Sequence, residues 1–283
     1  MTKAFCPGHI TCFFSPVRTD DVMTTGSLGA GIRLDKGVNV TLEERRDKRM
    51  EATINGKECD AAISKDTVRS LAPGRGFDMT IECELPISQG MGTSAAGAIA
   101  AGLCVTEMLG TEEHDAYVAA HIAEVRNGGG LGDVAGIMGG RQAVRVRAGI
   151  QPHGRVIDTG IGMNITVAVL GDKMMTKDVL SDPASMERIK AEGVRCVNEY
   201  MNSQTEKMLY RLSSGFTDSS GLATKEVRHA LSLLRKNHAA SMCMLGNSIF
   251  TNASEQQARK LLGDHVDILS LSTGGGPRVI RKA

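Results

Sequence analysis

Tryptophan is absent, and three Tyr and six Phe are scattered over 283 residues. Proteins that read single-stranded nucleic acid stack bases on aromatic platforms, and this chain has too few rings to build one. Charge offers no other route. The 33 basic and 32 acidic side chains leave a formal net charge of +1, which steers the chain neither to nucleic acid nor to an anionic membrane. No apolar run nears the ~20 residues of a membrane span. "MTKAFCPGHI" meets Pro-Gly too early for a signal-peptide core. The seven cysteines (Cys6, Cys12, Cys59, Cys83, Cys104, Cys196 and Cys243) are odd in number and dispersed, with no C-x-x-C pair. Several fall in apolar runs. Free thiols are therefore expected, not a disulfide framework or a zinc site. The expectation is a cytoplasmic globular protein without nucleic-acid or membrane partners.

The remaining composition suits a substantial core: 41% hydrophobic and 23% charged residues. At about 100–200 residues per domain, the length allows two domains or one large one. "GVNVTLEER" puts Val38, Val40 and Leu42 on one face of a strand, and "DMTIECELPI" does the same with Met79, Ile81, Cys83 and Leu85. "TSAAGAIAAGLCVTEMLG" reads as a buried helix ending at Gly110. "TEEHDAYVAAHIAEVRNGGG" reads as a second helix, with Thr111 as N-cap and Asn127-Gly128 as its end. "GGGLGDVAGIMGG" reads as a flexible stretch around Asp133, and "RQAVRVRAGI" as a strand with Arg145 and Arg147 on one face. Beyond residue 160 come a short strand, "NITVAVLG", and amphipathic helices. "HAASMCMLGNSIF" reads as a methionine-rich helix that packs in the core, and "VDILSLSTGGGPRVI" as two strands around a Gly-Pro loop. This pattern predicts two α+β domains, residues 1–160 and 161–283. "EERRDKRME" mixes signs and reads as a solvated strand end or loop.

The segment "LPISQGMGTSAAGAIAAG", Leu85 to Gly102, joins a strand to a helix. Its glycines let backbone N–H groups approach an anion, and the helix start adds free donors and the positive dipole end. Thr93 and Ser94 add hydroxyls. The lysine of a G-x-x-x-x-G-K-[ST] loop is missing, which removes the P-loop option. Composition alone leaves phosphate binding and tight strand–helix packing equally open. Glu124 lies one turn after His121 and faces the negative end of its helix, an arrangement that a cation or Arg126 would offset. Asp133 in its glycine bed could meet a substrate hydroxyl or cap a helix. "STGGGPRV" could form a tight loop open to a ligand or an ordinary hairpin turn.

The order of these pieces resembles the GHMP kinases, the small-molecule kinases that include galactokinase, homoserine kinase and mevalonate kinase. "PGHI" matches their first motif, "PISQGMGTSAA" their second and "STGGGP" their third, so the resemblance spans Pro7 to Pro277. It implies an N-terminal domain folded like a ribosomal protein, with the ATP-binding loop in residues 1–160, and a ferredoxin-like C-terminal domain in residues 161–283. It also implies that Gly90, Met91, Gly92, Thr93, Ser94, Ala95 and Ala96 cradle ATP. Ser94 and Glu124 would hold Mg2+, and Asp133 would accept the proton of the substrate hydroxyl. His9 stands where mevalonate kinases carry a lysine, which favours a mechanism resting on Asp133 and Mg2+. "PGHIT-x-FF", "GSLGAGI" and "STGGGP" look like the archaeal pantoate kinases, whose activity makes 4-phosphopantoate for coenzyme A. On that reading Ser27, His121 and Arg145 are the expected substrate contacts, with Arg145 on the pantoate carboxylate. Homoserine, shikimate or mevalonate kinase activity is the alternative within the family. An RNA-binding module or an inactive, ligand-sensing kinase homologue is the alternative outside it. A homodimer is left open.

Overall fold

A computed structural model describes residues 1–172 and 183–281. Two long antiparallel strands, β1 (Thr2–Val17) and β2 (Gly26–Arg45), form its spine. Around them an eight-stranded sheet adds β3 (Met50–Ile54), β4 (Lys57–Glu58), β5 (Gly76–Cys83), β6 (Gln142–Arg147), β7 (Arg155–Asp158) and β12 (Arg278–Ile280). The β3–β5 pairing is parallel and the others are antiparallel. The alternation read in Val38, Val40 and Leu42 holds, since all three are fully buried. The mixed-sign run Glu43–Glu51 is a strand end and turn, as expected.

Of the helices α1 (Ala62–Leu71), α2 (Thr93–Leu109), α3 (Glu113–Asn127) and α4 (Asp133–Gly139), α2 and α4 pack on this sheet, and α1 and α3 pack on α2. An apolar stripe buries one side of a helix; α2 is apolar all round and is buried all round from Ala95 to Thr106. Its alanines and glycines let neighbours approach, and Gly102 packs on Ala116 of α3. α2 ends at a left-handed Gly110, where the sequence placed its end.

The second, four-stranded sheet has the order β11 (Asp267–Ser272), β8 (Asn164–Val169), β10 (Ser248–Thr251), β9 (Ala240–Met242). With it go α5 (Pro183–Asn202), α6 (Glu206–Ser220), α7 (Lys225–Leu234) and α8 (Glu255–Leu262). One apolar cluster runs from Phe13, Phe14 and Ile32 of the first sheet to Val167, Ile249 and Phe250 of the second. The final strand, β12, returns to pair with β1. All seven cysteines are free, and no described helix is long and apolar enough to cross a membrane.

Three local expectations need correction. "HAASMCMLGNSIF" is not a helix; its ends are β9 and β10, joined by a turn with Leu245 at φ 64°. Helix propensities differ by under ~0.7 kcal/mol per residue, whereas burying Ile249 and Phe250 against β8 contributes roughly 1.5–3 kcal/mol each. The cap of α3 is Glu112, not Thr111, and its side chain makes no capping bond. The glycine-rich stretch after α3 is not wholly flexible, because its second half is the short helix α4, which starts at Asp133.

Candidate active site

Between β5 and α2 the chain alternates in handedness. Ser88, Gly90 and Gly92 have φ of 62°, 74° and 61°, and α2 starts at Thr93. Such alternation turns successive N–H groups inward and makes a concavity for an anion. The first turn of α2 carries no acid, so the positive end of its dipole faces this concavity uncompensated. The His9 N–H donates to the Met91 carbonyl at 2.9 Å and pins the loop to β1.

The facing wall comes from α3 and α4. Glu124 is 1% exposed. Its Oε2 accepts the Gly130 N–H at 2.6 Å, and its Oε1 has no partner among the described residues. Burial pushes its carboxyl up to about 7, and Asp133 adds to this, while the Ser94 hydroxyl and the Gly130 amide pull it back. The Asp133 side chain is 22% exposed, and its Oδ1 lies 2.9 Å from His9 Nδ1 and 3.4 Å from Thr11 Oγ1. Burial raises its pKa, but the His9 contact, the Arg145 charge and Thr11 outweigh that and hold it below the ordinary carboxylate range. Asp133 is thus ionised at neutral pH and can only accept, so Nδ1 of His9 carries the proton.

His9 itself is fully buried, and burial lowers its pKa, leaving it neutral. A bulge between Pro7 and His9 sets its register on β2. Its ring is clamped between two glycines. A Cβ on Gly31 would lie 2.2 Å from Nε2, and one on Gly136 2.5 Å from it. No other residue type leaves room for the ring.

These walls enclose a cavity of about 700 Å³. Of the residues expected at the site, Gly90, Met91, Gly92, Thr93, Ser94, Glu124, Asp133 and Ser27 line it. Ala95 and Ala96 are buried in α2 behind the loop. His121 and Arg145 stand behind the wall. His121 is 2% exposed, with Nε2 3.0 Å from the Val22 carbonyl. Arg145 is 1% exposed, and its three guanidinium nitrogens have no partner among the described residues. The space a Gly132 Cβ would fill lies 2.7 Å from Arg145 Nε and 2.3 Å from Ser27 Oγ, so both side chains sit directly beneath that glycine. "STGGGP" does not line the cavity; its Gly274 N–H bonds the Arg33 carbonyl and braces β2. Sequence reasoning missed the contacts that His9 and Thr11 make with Asp133. Their signal was positional, because residues two apart on a strand share a face.

Among the described residues no group of three His, Cys, Asp or Glu side chains could hold a metal by itself. The unpartnered Glu124 oxygen and the exposed Ser94 hydroxyl are oxygen donors suited to a hard cation, which keeps several ligands from water or phosphate.

The model of the GHMP kinases N terminal domain matches residues 60–141, which include the loop, Glu124 and Asp133. Pantoate kinase of Methanocaldococcus jannaschii is 30% identical over 87% of this chain and 90% of its own length. That of Thermococcus kodakarensis is 31% identical over 92% and 90%. A solved phosphotransferase related to the CoA biosynthesis pathway superposes with a TM-score of 0.87 at 28% identity, covering 99% of this chain and 98% of its own. A mevalonate-3-kinase from Thermoplasma acidophilum, at 13% identity and a TM-score of 0.68, shares the fold. The chain belongs to the GHMP kinases and, within them, to the family of the pantoate kinases.

Proposed function

We propose that this protein transfers the γ-phosphoryl group of ATP to the primary hydroxyl of pantoate, giving 4-phosphopantoate for coenzyme A synthesis. The observation that carries the chemistry is the meeting of three elements on one cavity: the loop Gly90–Ser94, Glu124 and Asp133. The substrate assignment rests on the relatives.

In this reading the inward N–H groups of the loop and the start of α2 hold the triphosphate. Ser94 and Glu124 hold Mg2+, which when bound shields the phosphate oxygens and neutralises developing charge. Asp133 orients the acceptor hydroxyl. The hydroxyl oxygen attacks the γ-phosphorus, the bond to the bridging oxygen of ADP breaks, and the proton passes to Asp133. A carboxylate of depressed pKa is a weak base, yet it suffices where the transition state is loose and the proton leaves late. His9 holds Asp133 through Nδ1–H without bringing a charge into the cavity. Ser27 faces the acceptor, and Arg145 supplies positive field beneath Asp133.

An ATP-coupled assay over pantoate, homoserine, shikimate and mevalonate tests the assignment, with the product identified by phosphorus NMR. Turnover of pantoate to a primary phosphomonoester is expected. Silence on pantoate with turnover of another acceptor overturns the substrate and keeps the kinase.

A further inference from the structure

We infer that Gln89 is a positioning residue for phosphoryl transfer, through which the second sheet holds the phosphate-binding loop in its working shape. This rests on the reading of that loop as the triphosphate site. Gln89 stands between the left-handed residues Ser88 and Gly90. Its two neighbours line the cavity; Gln89 does not, and it is 4% exposed. Its side-chain amide binds the second sheet with both of its atoms. Oε1 accepts the Asn247 N–H at 3.1 Å, just before β10, and Nε2 donates to the Gly171 carbonyl at 3.0 Å, shortly after β8. Its main-chain carbonyl accepts the hydroxyl of Ser248, the first residue of β10, at 2.7 Å. Asn247 is held in turn. The hydroxyl of Thr224, the cap of α7, donates to its Oδ1 at 2.7 Å, and the Leu170 N–H donates to its carbonyl at 2.9 Å.

The packing leaves the loop no slack on this side. A Cβ on Gly246 would lie 2.4 Å from the Gly90 nitrogen, and one on Gly90 would lie 2.7 Å from the Cys243 carbonyl oxygen. Backbone thus meets backbone where the β9–β10 turn crosses the loop. Two carbonyls of the loop are tied to different sheets, that of Gln89 to Ser248 and that of Met91 to the His9 N–H. The N–H groups of Gly90, Met91 and Gly92, which lie along the same turn, donate to none of the described residues. Donors fixed before charge develops need no reorganisation when it does. A loop untied at Gln89 would have to be ordered by the nucleotide itself, and affinity would fall by that cost. Packing alone would be served by an apolar side chain of the same size. The amide is what reaches both Asn247 and Gly171.

Calorimetry of Mg2+-ATP binding without an acceptor reads the loop directly. Gln89→Met keeps the volume and loses both amide bonds. Its Kd for ATP should rise roughly ten- to hundredfold, while the KM for the acceptor moves by less than about threefold. Ser248→Ala removes one hydroxyl and little packing. It should raise the Kd for ATP roughly three- to tenfold and melt near the parent chain. Together the two should weaken ATP binding by less than the product of their separate factors, because both act through one residue. An unchanged Kd for ATP in Gln89→Met overturns the assignment, as does an equal weakening of ATP and acceptor. If Gln89→Met does not fold, Ser248→Ala decides by the same criteria. The wild-type chain tests the loop reading separately, since it should bind ATP more tightly than AMP, which lacks the β- and γ-phosphates. If it does not, both readings fail.

Discussion

Two helices begin on the same cavity, and they begin in opposite ways. α2 opens behind three left-handed residues, with no acid in its first turn and its donors free. α4 opens behind another glycine-rich stretch, but its first residue is Asp133. The preceding stretch gives the Gly130 N–H to Glu124. Both begin in glycine-rich backbone, and the difference lies in what occupies the helix start. A bare start can take an anionic ligand. A start filled by the chain's own carboxylate cannot take one, and instead presents an acceptor for a proton. Glycine content alone therefore does not mark a phosphate site; the first helical residue decides.

The largest effect should come from removing the charge at the second start. Asp133→Asn keeps the shape and the His9 contact but cannot accept a proton. Turnover should fall about 10²–10⁴-fold, the range of a positioned general base. Circular dichroism and melting should stay near those of the parent chain. At the first start, Ser94→Ala should also lower turnover by orders of magnitude and raise the Mg2+ concentration needed, while leaving the bare amides in place. If Asp133→Asn turns over nearly normally, or if Ser94→Ala leaves the Mg2+ requirement unchanged, the division of labour between the two starts is wrong.

The same contrast explains what could be read from the sequence. The α2 start was legible because its turn needs positive φ at Gly90 and Gly92, and glycine announces that need. Ser88 takes the same conformation without announcing it. Glu124 and Asp133 were legible by their order along the chain, which the family resemblance supplied. The His9–Asp133 contact was not, because 124 residues separate the partners and only the β1 bulge and the clamping glycines bring them together. β9 and β10 were hidden because Met, Ala and Leu favour a helix locally, and β8, the strand on which β10 pairs, lies some 80 residues away. Their turn also carries Met244 and Leu245 to the cavity. A buried arginine and one lining the cavity look alike in sequence, so depth had to come from packing.

A middle-sized effect should come from His9, which touches both starts: its N–H holds Met91 and its ring holds Asp133. His9→Leu removes only the ring contact, so it separates the two duties. Turnover should drop roughly ten- to hundredfold, in keeping with loss of a hydrogen bond to a charged group. Burial then dominates at Asp133, and the acid limb of the pH–rate profile should move to higher pH. His9→Asn, whose side-chain NH2 lies near the position of Nδ1, should recover turnover and return the limb. A variant that loses activity with no change in the limb would make His9 a packing residue alone.

The smallest effect concerns stability. His9 and His121 are both buried behind the cavity wall, and burial lowers the pKa of each. Below about pH 6.5 the unfolded chain takes up protons that these folded histidines refuse. The rings alone therefore lower the unfolding free energy as pH drops from about 6.5 to 5, by at most about 1.4 kcal/mol per pH unit each, and their contribution is flat above about 6.5. Glu124 opposes them, because its carboxyl is raised to about 7 and takes up a proton in the folded chain before it does so in the unfolded one. Urea titrations of the parent and of His9→Asn at pH 5, 6 and 7 isolate the ring: the parent should lose more stability on acidification than the variant. Equal changes in the two would mean that the His9 ring takes a proton in place, and that the neutral His9 donor to Asp133 is the wrong protonation state.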